Sequence, residues 1–128
     1  MTRKATTVLI YADVAAAYDY LSTTFDLTPG GLDVDGDGRV IHGEVGAGDS
    51  VLWLHPPGEG YRPPEELGGV TSMTVIEVDD VDLHYRAANE RGAHIIEAPA
   101  DRSYGMREYG ARDPEGHVWY FCSRSEGA

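Results

Sequence analysis

Cysteine is nearly missing. Cys122 stands alone in 128 residues, so no internal disulfide can staple the chain and a disulfide-held secreted scaffold is excluded. One unpaired thiol points to a reducing cytoplasm, and its place after an apolar strand marks Cys122 as an inert core residue. Positive charge is also scarce. Ten Lys and Arg stand against 22 Asp and Glu, a net charge of −12, and such a field repels a phosphate backbone, so nucleic acid is not an expected partner. No apolar run approaches the ~18 residues of a membrane span. The opening segment has two basic residues but only a short apolar stretch and no small-residue cleavage site, so no signal peptide and no membrane partner are expected. A Gly-rich phosphate loop, a CxxC pair, a serine nucleophile elbow and a basic amphipathic segment are all lacking.

What is there suits one globular domain, with 41% hydrophobic and 25% charged residues. Residues 6–11 are rich in β-branched and aromatic side chains and predict a strand. Asp13 is an N-cap candidate for a helix over 14–25, striped by Val14, Ala17, Tyr18, Leu21 and Phe25. Thr28-Pro29-Gly30-Gly31 reads as its stop and 33–38 as a turn-rich loop. Residues 40–45 and 50–55 read as a hairpin. A connector over 56–69 holds four of the seven prolines and is a candidate lid. The pattern then restarts: a strand at 73–78, the cap candidate Asp80, a helix over 81–91, a short strand at 94–97, and a hairpin of 104–111 with 117–121.

The halves are in phase. Asp13-Val14 and Asp80-Val81, Tyr18 and Tyr85, and residues 51–54 and 118–121 all share an offset of 67 residues. A constant offset across cap, helix and last strand argues for internal duplication. The expected class is α+β: two βαβββ modules, 6–55 and 73–122, in a single domain spanning 1–128.

The segments YADVAAAYDYL, HGEVGAGDSVLWLH, VDDVDLHYRAANERGAHI and YGMREYGARDPEGHVWYF carry a resemblance. With the duplicated order, the chain resembles the vicinal oxygen chelate superfamily of glyoxalases, bleomycin-resistance proteins and extradiol dioxygenases. It is most similar to the small bleomycin-resistance-like and PhnB-like proteins. The resemblance implies a curved mixed-sheet cup with helices outside, a homodimer, and a small organic ligand such as an aromatic compound or an antibiotic. In metal-using members, His, Glu or Gln stands at one position in the first and last strand of each module. By motif, those positions here are Thr6, Trp53, Met73 and Tyr120. None is a good donor for Zn, Fe, Mn or Ni, so no metal and no cofactor are expected.

Strand alternation places Val51 and His55 on the face of Trp53. Pairing Val45 with Ser50 sets His42 opposite Trp53 and Glu44 opposite Val51. Transferred by the offset, Tyr109 faces Tyr120, and Arg107 shares their face while Glu108 points away. The expected ligand-binding set is therefore Trp53, Tyr120, His42, Glu44, His55, Met73, Arg107 and Tyr109. Aromatic walls with a few convergent polar groups suit a flat polar ligand. The plain alternative is that His42, Glu44 and Arg107 form a buried network and Trp53 fills the core. An enzymatic alternative uses the same residues, with His42 and Glu44 as a base and Arg107 or Tyr109 stabilising an enolate-like oxygen in a lyase or isomerase. A dioxygenase is disfavoured because it needs an iron facial triad. His84, His94 and His117 read as surface or packing residues.

One motif competes. Residues 33–44 match the calcium loop of an EF-hand, with Asp33, Asp35 and Asp37 at positions 1, 3 and 5, Gly38 at 6, Val40 at 8 and Glu44 at 12. Its flanks predict strands rather than helices, so an Asp-Gly turn is the favoured reading and calcium binding a remote one.

Overall fold

The computed structural model describes residues 1–125. The chain runs β1 (Val8–Ile10), α1 (Val14–Thr23), β2 (Thr28–Val34), β3 (Val40–Ala47), β4 (Ser50–His55), α2 (Pro64–Leu67), β5 (Thr74–Glu77), α3 (Val81–Glu90), β6 (His94–Asp101), β7 (Met106–Arg112) and β8 (Val118–Arg124). The two modules form separate four-stranded mixed sheets, ordered β1-β4-β3-β2 and β5-β8-β7-β6. In each, the first strand lies parallel to the last and the remaining pairs are antiparallel. This is the expected α+β architecture of two βαβββ modules.

The two long helices, α1 and α3, start as their sequences require. The Asp13 carboxylate accepts from the Ala16 N–H at 2.9 Å, and that of Asp80 from Leu83 at 3.1 Å. In α1, Val14, Ala17 and Leu21 are buried on one stripe. The helix ends at Thr23 rather than at Phe25. Asp26 takes a left-handed φ of 61°, and the Leu27 N–H returns to the Leu21 carbonyl at 3.1 Å.

The segment expected only to stop this helix is instead the first half of β2. Three features reconcile its Pro and Gly with a strand. The strand lies at a sheet edge, where the missing N–H of Pro29 need not be paired inward. Gly31, at φ 110°, sits in a register shift between Pro29 and Leu32. Every β2 residue is exposed, so no apolar alternation marks it. The corresponding edge strand of the second sheet, β6, likewise runs past its expected end at 97 to Asp101, through Pro99 and two register shifts.

The helix-covered faces of both sheets close on one core containing Tyr11, Leu21, Phe25, Val45, Leu54, Tyr109, Trp119 and Phe121. Phe25 bridges the modules, 5.0 Å from the Phe121 ring and 5.8 Å from that of Trp119. Asp113 pins them together. Its buried carboxylate accepts from Tyr11 Oη–H at 2.6 Å and Trp119 Nε1–H at 3.0 Å, and from the backbone N–H groups of Glu115 and His117. Burial and this carboxylate push the Tyr11 phenol well above its usual range. The connector is fastened on the same side: the Glu65 N–H donates to the Glu115 carbonyl, and Pro63 and Pro64 are buried. With the helical sides turned onto this shared core, the other face of each sheet lies bare on the outside.

Candidate functional site

Trp53 stands on the bare face of the first module at 37% exposure, beside its parallel partner Val8 at 38%. Trp119 is fully buried on the opposite, helix-covered side. The module-one set expected from sequence, Trp53, His42, Glu44 and His55, does share one face. The β3–β4 turn is tighter than expected: Ala47, not Val45, lies opposite Ser50, with Gly48 at φ 58°. A slip of two residues preserves every face. Its effect is to set Glu44 opposite Trp53 and to bring His42 against His55.

These three polar residues form a chain. Glu44 Oε2 lies 2.7 Å from His42 Nε2, and His42 Nδ1 lies 2.8 Å from His55 Nε2. The His42 ring meets Trp53 edge-on at 5.2 Å, and the His55 ring stacks alongside Trp53 at 6.1 Å. Burial, then the neighbouring His42, lowers the His55 pKa, so His55 favours its neutral form.

The second module departs from expectation. Gly110, not Tyr109, pairs with Tyr120, and Tyr109 pairs with Phe121. Glu44 pairs with Trp53 and Gly110 with Tyr120, so β3 and β7 are related by an offset of 66 while β1/β5 and β4/β8 keep 67. One residue flips the face. Tyr109 is fully buried against α3, its hydroxyl 2.6 Å from His84 Nδ1, and burial drives its pKa far up. Arg107 also turns to α3, where Nε and Nη2 grip Asp82 at 3.0 and 3.1 Å, with Asp101 at 3.4 Å from Nη1. Neither Tyr109 nor Arg107 lies beside Tyr120, and Arg107 does not pair with His42 or Glu44.

The place assigned to them belongs to Glu108, which sequence reasoning had turned away. Around Tyr120 the bare face carries a second network. The Tyr120 hydroxyl donates to Glu97 Oε2 at 2.8 Å. Arg102 bridges Glu97 and Glu108, with its Nε–H 3.0 Å from Glu108 Oε1, and Tyr104 Oη–H donates to the same Glu108 oxygen at 2.6 Å. Arg102 and Tyr120 hold the Glu97 carboxyl below its usual range, and Glu97 raises the Tyr120 phenol. The Tyr120 ring lies over Gly110, where an added Cβ would fall 2.8 Å from two ring carbons. Glu97, Arg102, Tyr104 and Gly110 were all missed. Gly110 alone had a readable signal, a glycine inside an expected strand, where it marks a close approach. Met73 and Val75 complete the face, each 58% exposed.

The four positions Thr6, Trp53, Met73 and Tyr120 do not make a divalent-metal donor set. Trp53 offers only an N–H, Met73 a soft sulfur, and the Tyr120 hydroxyl is spent on Glu97. Among the described residues no group of three or more His, Cys, Asp or Glu is disposed to hold a metal ion. The calcium-loop reading of 33–44 meets the same obstacle. Strands flank it, Asp35 Oδ1 accepts from the Asp37 and Arg39 N–H groups, and Glu44 is engaged by His42. The remaining histidines pack: His84 Nε2 lies 2.8 Å from the Phe25 carbonyl, His117 Nε2 lies 2.7 Å from that of Ile10, and His94 is exposed at an edge. No helix is long and apolar enough to cross a membrane among the described residues.

The chain is similar to known proteins in sequence and in fold. An uncharacterized protein of Mycobacterium bovis is 29% identical over 116 residues, covering 87% of this chain and 76% of its own length. The crystal structure of TioX from Micromonospora sp. ML1 superposes with a TM-score of 0.76 at 26% identity, covering 98% of this chain and 99% of TioX. A superfamily member from Sphaerobacter thermophilus shares the fold with a TM-score of 0.78 at 20% identity, over 97% and 98% of the two chains. Residues 4–121 match the family model described as Glyoxalase/Bleomycin resistance protein/Dioxygenase superfamily, and the chain belongs to that superfamily.

Proposed function

We propose that this protein binds a flat small organic molecule, without a metal, between an aromatic wall at Trp53 and a second at Tyr120. The observation that carries the reading is the apolar surface left bare on both sheets, where Val8, Trp53, Met73 and Val75 stand exposed beside hydrogen-bonded polar networks. Apolar walls with a few oriented polar groups are the usual make-up of a small-molecule site. Each bare face is open by itself and lies outside the shared core. Two copies therefore assemble so that the Trp53 face of one closes on the Tyr120 face of the other, giving two equivalent sites per homodimer.

The test is tryptophan fluorescence. Aromatic ligands quench Trp53, and Trp53→Ala removes most of the response while Trp119→Phe leaves it largely intact. Loss of one aromatic wall costs about 1 kcal/mol or more of binding, several-fold in affinity. Equal quenching in Trp53→Ala and the parent protein would sink the reading. So would elemental analysis finding one Zn, Ni, Fe or Mn per chain.

A further inference from the structure

We infer that the Glu44–His42–His55 chain is a proton acceptor, and that the molecule taken at Trp53 carries an acidic hydroxyl conjugated to its ring, as in a phenol or enol, and is held as its anion. The inference rests on the reading that Trp53 walls a site for a flat ligand.

The argument starts from the nitrogen count. Both ring nitrogens of His42 are engaged, one by Glu44 at 2.7 Å and one by His55 at 2.8 Å. His55 uses Nε2 in that contact, and its Nδ1 has no hydrogen-bond partner among the described residues. A carboxylate only accepts, so neutral His42 donates from Nε2 to Glu44 and presents a lone pair at Nδ1. His55 then donates from Nε2, which leaves a lone pair at Nδ1 without a partner among the described residues, on a ring stacked alongside Trp53. Burial favours the neutral state of His55 that this arrangement needs.

Such a chain takes a proton without placing charge on its outer member. When a ligand hydroxyl approaches, its O–H bond breaks and an Nδ1–H bond forms on His55. The Nε2 proton of His55 passes to His42 Nδ1, and the positive charge settles on His42 against Glu44. The ligand oxygen becomes an anion bonded to His55 Nδ1–H, so atoms and charge balance with no other reactant. The ligand enters neutral, so the −12 charge of the chain does not repel it. The groups around the pair are few. Glu44 lies on β3, Asp33 on β2 is paired with His42, and Trp53 lies on β4, while Ile10 on β1 is paired with His55 and is apolar. Among the described residues no Lys or Arg bonds to Glu44, His42 or His55.

The experiment titrates the protein with 4-nitrophenol at a pH where the free probe is mostly un-ionised, with 4-nitroanisole as the twin that has no proton to give. The parent protein is expected to develop the phenolate absorbance in proportion to bound probe. In His55→Gln and Glu44→Gln that absorbance disappears and 4-nitrophenol affinity drops by about tenfold, the worth of one hydrogen bond to a charged group. Circular dichroism and urea unfolding show that the variants are folded, and the loss is larger for 4-nitrophenol than for 4-nitroanisole, which has no proton to give. Binding of 4-nitrophenol in its un-ionised form, or unchanged ionisation in His55→Gln, overturns the inference and leaves the Trp53 site standing. Failure of both probes to bind overturns the inference and the proposed site together.

Discussion

Gly110 has no side chain, and the Tyr120 ring occupies the space one would take. The ring is tethered at its far end by the 2.8 Å bond from its hydroxyl to Glu97, so it cannot swing aside without breaking that bond. Gly110→Val is expected to lower stability by ~1–3 kcal/mol, the usual cost of overpacking. It should also weaken ligand binding by displacing Tyr120. Urea unfolding and fluorescence titration check both, and an unchanged midpoint would mean the ring does not rest there. The same residue shows where the sequence could be read and where it could not. Alternation along β4 is sufficient to put Trp53, His55 and Val51 together, and a hairpin slip of two residues does no harm. Tyr109 was lost because a period-two pattern has no tolerance for a slip of one. The symmetry used to place it holds for the parallel pairs but is one residue short between β3 and β7.

Among the elements, α1 was legible through its cap and stripe and α3 through its cap, while β2 and the far half of β6 were not. β2 carries Pro, two Gly and only exposed side chains, and β6 carries Pro99 among half-buried ones, because an edge makes few demands on them. The networks of the second module hang on β6, where Glu97 falls in the expected strand but register shifts on both sides of it break the alternation that would assign its face. α3 also fixes a pH response. His84 stacks on Phe121 at 4.3 Å; with Nε2–H donating to the Phe25 carbonyl, the neutral ring accepts the Tyr109 hydroxyl proton at Nδ1. Burial lowers its pKa, opposed by the Phe25 carbonyl and Asp26, with Arg91 acting in the same direction as burial. A histidine whose folded pKa lies below the unfolded value of ~6.5 leaves stability intact above that pH and erodes it as pH falls toward the folded value. Stability measured by urea unfolding should therefore decline as pH falls below about 6.5, and the decline should be shallower in His84→Gln. An equal slope in the variant would remove His84 as a source.

At the scale of the molecule, the two bare faces and the shared core make a claim about who completes each site. Helical sides meet inside one chain through Phe25, Tyr11 and Asp113, so a chain cannot also bring Trp53 onto its own Tyr120. In the proposed homodimer each site takes Trp53 from one copy and Tyr120 from the other. Variants can be mixed to tell. A Trp53→Ala chain and a Tyr120→Ala chain each form homodimers in which both sites have lost a wall. Joined as a heterodimer, they contribute Trp53 and Tyr120 intact to one site and lose both from the other. Unfolding and refolding the mixture should restore parent-like affinity at one site per heterodimer, with the other site at or below the level of either variant. Calorimetric titration of the purified heterodimer, tagged differently on its two chains, reads this directly. If each site were built within one chain, both sites of the heterodimer would stay impaired and mixing would recover nothing. The shared-core geometry predicts recovery.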